Sequence, residues 1–164
     1  MLHAAAAGAR TVRILSDDTD VFVLMVNWCW KGCLTCQIQM ERWDGSVLSV
    51  NATVDQLGEK CKGILSMHVL SGCDTTSYPH GKGKTTALKV LLDNDIPGLD
   101  TVIGEGDATQ QDLMETGTAF FLAIYGVKEC KSIDDARRHL FCKRKTPPLL
   151  KSLPPTSGNV ALHI

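Results

Sequence analysis

The alternation of apolar and polar positions divides the chain into short elements. LHAAAAGA, at the start, favours a helix. RTVRIL is rich in β-branched residues and predicts a strand, which runs into the polar loop SDDTD. VFVLMV is apolar on every side, so periodicity leaves it open between a buried strand and a buried helix. CQIQMERW alternates and predicts a strand. Asp44-Gly45 is a turn signal and SVLSV its partner, which together predict a hairpin. TVDQLGEKCKGILSMHVL predicts one helix, with Thr53 as N-cap and Gln56 completing a capping-box pattern.

Beyond residue 84 the pattern is helical. TTALKVLLD is a helix that NDIPGLD breaks. QDLMETGTAFFLAIYG is a helix ended by Gly126, and SIDDARRHLFCKRK is one capped by Ser132. TPPLLKSLPP reads as a loop, and ALHI lies within a further apolar pattern. Strands and helices alternate first and helices alone follow, so the expected fold is an α/β core with a helical C-terminal part.

The length of 164 residues suits one domain with a real core. A net charge of −1 argues against binding nucleic acid by bulk charge, so any such binding must use local patches. No apolar stretch reaches membrane-spanning length. Seven cysteines without a convincing signal peptide read as reduced, intracellular thiols.

SGCDTTSYPHGKGKTTALKV, residues 71–90, stands out as a place for a phosphate. It departs from the pattern of a nucleotide P-loop. Gly83-Lys84-Thr85 supplies the end of that motif, but Tyr78 stands where its first glycine belongs, and the preceding element reads as a helix. A glycine-rich turn with solvated lysines is the plain alternative. Even so, Gly81 and Gly83 let backbone approach a ligand, and the next helix presents free N–H groups at its start. Lys82, Lys84 and Lys89 have no acidic neighbour between Thr75 and Leu92.

Asp17, Asp18 and Asp20 follow the first predicted strand. Asp18 and Asp20 can converge on a hard cation such as Mg²⁺ or Mn²⁺. The competing reading makes one of them the N-cap of the next helix. Asp74, just before the glycine turn, adds a third carboxylate, and a metal site beside a backbone clamp suits phosphodiester hydrolysis. Other signals compete. Cys29, Cys33 and Cys36 have a spacing that holds iron–sulfur clusters, or zinc with Cys61, but the aromatic setting NWCWKGC favours packing. DTDV after a strand also resembles haloacid dehalogenase phosphatases, in which the glycine clamp has no role. His68 reads as a helix residue, packed or exposed, and His80 as solvated or touching a phosphate from the glycine turn. ARRHLFCKRK suits a helix end facing its dipole, or a second contact along DNA.

ILSDDTDVFVL and GCDTTSYPHGKGKTTALKVL, in this order, resemble the PIN-like 5′-nuclease superfamily of flap endonucleases. That resemblance covers about residues 10–92. A closer one, to animal proteins with DTDVLVL, TGCDTTS…GKGK and LFCK…LPPT blocks, covers nearly the whole chain. It implies a partial PIN-like sheet with helices and a C-terminal helical region containing a helix–two-turn–helix DNA clamp. One domain over 1–164 is expected, with an α/β core at 1–70, the clamp at 71–95 and a helical part at 96–164. Asp18, Asp20 and Asp74 match the metal-ligand and catalytic positions. Gly81, Gly83 and Lys84 match the clamp, joined by Lys82 and Lys89 as backbone contacts. The implied activity is hydrolysis of DNA, or less readily RNA, with Mg²⁺ or Mn²⁺, in the nucleus and without a membrane. The superfamily carries further acids ahead of this strand, and the chain begins at MLHA. The resemblance therefore implies an N-terminally truncated fragment of doubtful activity, or a non-catalytic nucleic-acid-binding module that keeps the fold.

Overall fold

The computed structural model describes residues 8–34, 36–73, 78–104, 106–143, 146 and 148–163. The expected helix over LHAAAAGA falls almost wholly outside them. The fold is α/β, with a three-stranded mixed sheet and several helices. The chain divides into two compact units, Met1–Leu65 and Ser66–Ile164.

The first unit holds the sheet, ordered β1-β2-β3, with β1 Thr11–Leu15, β2 Gln37–Glu41 and β3 Val47–Ser49. β1 and β2 are parallel, with Thr11 opposite Gln37 and Leu15 opposite Glu41. A parallel pair needs a long crossover. This requirement settles the ambiguous apolar run as helix α1, Thr19–Trp30. β2 and β3 form the predicted antiparallel hairpin around Asp44-Gly45.

One face of β2 carries Ile38 and Met40, both buried, as are Met25 and Val26 of α1. On the other face Arg13 donates to Gln39 and pairs with Glu41 at 3.1 Å. Such exposed pairs contribute little to stability. Asn51 secures the start of β2, its Oδ1 accepting from the Ile38 N–H at 2.7 Å.

The long helix predicted from Thr53 is not one helix. Helix α2 starts earlier, at Val50, and ends at Leu57, with Ser49 as N-cap accepting from the Ala52 N–H. Thr53 instead turns its hydroxyl back to the Ser49 carbonyl, as a residue inside the first turns does. Gly58 then takes φ +52°, which few side chains tolerate, and a 3₁₀ stretch, Gly58–Gly63, leads into α3, Ile64–Leu70. The apolar periodicity runs through this break and hides it.

The second unit is helical among the described residues. Helix α4 is Lys84–Asp93, α5 Gln110–Tyr125, α6 Ile133–Cys142 and α7 Ser157–His163. α5 is the hub, touching α4, α6 and α7. It begins with a capping box between Thr109 and Asp112 and ends at Gly126. Its Phe120 and Phe121 are buried and meet edge-to-face, 5.9 Å apart. Ser132 caps α6, as predicted. At the far end His163 Nε2 lies 3.1 Å from the Leu70 carbonyl, and its ring meets Phe121 edge-on.

Candidate nucleic-acid interface

The glycine turn is built from the chain upward. The Lys82 N–H donates to the Pro79 carbonyl at 3.0 Å, and Gly81 sits at φ +70° in the third position of this turn. Only glycine adopts that conformation without strain, and a Pro-x-Gly-Lys order meets the demand. Gly83 is then the N-cap of α4 and provides no side chain to cap it. The Thr86 N–H of this first turn donates to the Gly83 carbonyl at 3.0 Å, and the Ala87 N–H shares the same oxygen.

The two lysines of the turn diverge. Lys82 Nζ lies over the Tyr125 ring, 5.3 Å from its centre, a cation–π arrangement. Lys84 points inward to the C-terminal end of α3. Its Nζ donates to the His68 carbonyl at 2.7 Å, to the Ser71 hydroxyl at 3.0 Å, and to the Gly72 carbonyl. These groups lie in or just after the last turn of α3, where carbonyls lack intrahelical donors and a cation complements the dipole. Lys89 is exposed on α4.

Beside the turn lies a cavity of about 580 Å³. Tyr78 and His80 form one side, Phe121 and Tyr125 of α5 another. Arg137 of α6 and the segment Leu150–Pro155 complete much of the wall. A smaller cavity of about 260 Å³ adjoins it, sharing His80, Tyr125 and Leu153, and is lined by Gly81 and Lys82. Among the described residues no carboxylate lines either cavity, whereas Lys82, Arg137 and Lys151 do.

The walls are held by specific bonds. Tyr125 donates its hydroxyl to the Leu153 carbonyl at 3.2 Å, and Arg137 Nη1 donates to the Pro154 carbonyl. Burial pushes the Tyr125 phenol above its usual range, partly offset by the nearby Arg137 charge. Hydrogen bonds from the Ser157 hydroxyl and then from its N–H hold the Asp134 carboxyl below the usual range, with Arg137 a weaker influence.

The carboxylates after β1 have their own geometry. Asp18 is the N-cap of α1, its Oδ1 accepting from the Asp20 N–H at 2.8 Å. Asp20 lies in the first turn of α1 and is half-buried. Asp17 accepts from the Trp43 N–H and pairs with Arg42 at 3.4 Å. Asp74 lies outside the described residues. Cys29, Cys33 and Cys36 do not close into a ligand cluster among the described residues. Burial raises the Cys29 thiol above its usual range, as Asp55 and Cys36 also do, which suits packing over ligation.

Of the residues predicted to contact a nucleic-acid backbone, Gly81 and Lys82 line the cavities. Gly83, Lys84 and Lys89 do not. Sequence reasoning missed Tyr78, Tyr125 and Lys151 and saw Arg137 only within a basic helix. Compared with protein-family models, curated proteins and solved structures, the chain finds no match in any of the three.

Proposed function

We propose that the protein binds nucleic acid through its second unit, DNA in preference to RNA. The observation that carries this reading is the pair of joined cavities beside the glycine turn, cationic and aromatic in lining and free of carboxylates among the described residues. Cations there would meet phosphates and rings would meet bases. A PIN-like fold with its helix–two-turn–helix clamp is the finer form of the reading, and a nuclear setting goes with it. Its support is the sequence resemblance, together with a glycine turn that opens a helix after an α/β unit.

A second reading, metal-dependent hydrolysis, is favoured by Asp18 and Asp20 following the carboxyl end of a parallel strand, where α/β proteins place ligands. Carboxylate oxygens suit Mg²⁺ or Mn²⁺. Asp18 and Asp20 are the residues that would hold such an ion, Asp18 while also capping α1. Such an ion would polarise the phosphodiester and stabilise the leaving oxygen.

Labelled single-stranded and duplex DNA, incubated with Mg²⁺ or Mn²⁺ and an EDTA control, separates the two readings. Binding without cutting is the expected result for a module. Metal-dependent cutting lost in Asp18→Asn would establish hydrolysis. Absence of salt-sensitive binding would remove the nucleic-acid reading altogether.

A further inference from the structure

We propose that the larger cavity receives a single unpaired nucleotide, with its base against the tyrosines and its phosphate on Arg137 and Lys151. The proposal rests on the nucleic-acid reading and specifies its ligand.

Three features of the cavity lead there. Its volume of about 580 Å³ falls in the range of small-molecule sites, roughly 300–1,000 Å³. That suits one nucleotide unit. A duplex presents only base edges in its grooves, whereas an unpaired base offers its face. The lining supplies surfaces for such a face. Tyr78 lines the cavity and is 75% exposed, and Tyr125 lines it with its hydroxyl bonded to the Leu153 carbonyl. An aromatic ring so exposed, beside a cavity and next to a rigid proline, is ready to stack without rearrangement.

Charge is the second feature. Arg137 uses Nη1 on the Pro154 carbonyl, which fixes the guanidinium plane at the wall and leaves further N–H groups for an oxyanion. Lys151 is exposed on the same wall. The third feature is rigidity. Pro79, Pro154 and Pro155 all line the cavity, and their fixed φ restricts the backbone of its walls. Asn159 adds one amide able to read a base edge. The adjoining cavity at Gly81 and Lys82 gives the neighbouring phosphate a place, so a strand can continue past the bound nucleotide.

The test uses the full chain and three probes: adenosine monophosphate, labelled oligothymidine and a blunt duplex. Each is titrated against wild type, Tyr78→Ala and Lys151→Gln. Both side chains are exposed, and unchanged thermal melts will show that the fold is kept. The expected result is oligothymidine affinity lowered about tenfold or more by Tyr78→Ala, as loss of one stacked base implies, and severalfold by Lys151→Gln. Duplex affinity should stay within twofold. The monophosphate arm distinguishes a free nucleotide from a strand. If it alone binds, with the same sensitivity to both variants, the cavity assignment stands and the nucleic-acid reading falls. If single strand and duplex bind alike and neither variant matters, the cavity assignment is overturned while the nucleic-acid reading survives. If no probe binds, both fall.

Discussion

At the scale of single residues, Lys82 and Lys84 look equivalent in the sequence, two lysines flanking one glycine. The structure separates them, because Lys82 ends a tight turn and Lys84 begins a helix. One lies over Tyr125 and the other reaches back to the end of α3. Lys84→Met should therefore cost stability, about 1–3 kcal/mol for helix-end acceptors left without their donor. Urea denaturation will measure it, with Lys82→Met as the near-neutral comparison. Unchanged stability in Lys84→Met with weakened DNA binding would return Lys84 to the role its sequence suggests. Asp18 teaches the same lesson. Its position allowed either a metal ligand or an N-cap, and the cap geometry is present. Residue types specify the available chemistry; only the fold specifies which groups a side chain can reach.

At the scale of elements, local signals were legible. The hairpin followed from Asp44-Gly45, the start of α6 from Ser132 and the end of α5 from Gly126. Each is decided by contacts within a few residues. The open reading and the one failure were decided elsewhere. VFVLMV became a helix because parallel strands flank it, which no window on that run reveals. The helix predicted from Thr53 was split by one glycine whose backbone departs from helical values. The α5 cap gives a direct check. Thr109 accepts from the Asp112 N–H and Asp112 reciprocates toward the Thr109 backbone. Thr109→Ala should lower stability by about 1 kcal/mol in chemical denaturation, with the helix itself retained in circular dichroism.

At the scale of the molecule, a net charge of −1 conceals an uneven distribution. Residues 93–115 carry seven acids and no lysine or arginine, while the cavities draw cations from three separate stretches. The walls come from the turn at 78–82, the end of α5, Arg137 and the segment beyond 148, so the candidate site could not be seen as a motif. If Lys82, Arg137 and Lys151 each displace a counterion, single-strand affinity should fall with a log–log salt slope of about −2. A slope near zero would mean that uncharged contacts dominate. The contact between His163 and the Leu70 carbonyl carries a separate consequence. It joins positions 93 residues apart in sequence, so the second unit is a closed circuit of helices. Its connectivity is then separable from its packing. A permuted chain, opened at an exposed turn and rejoined by a short linker where these two residues meet, would pass through the same helices in a different order and bury the same core.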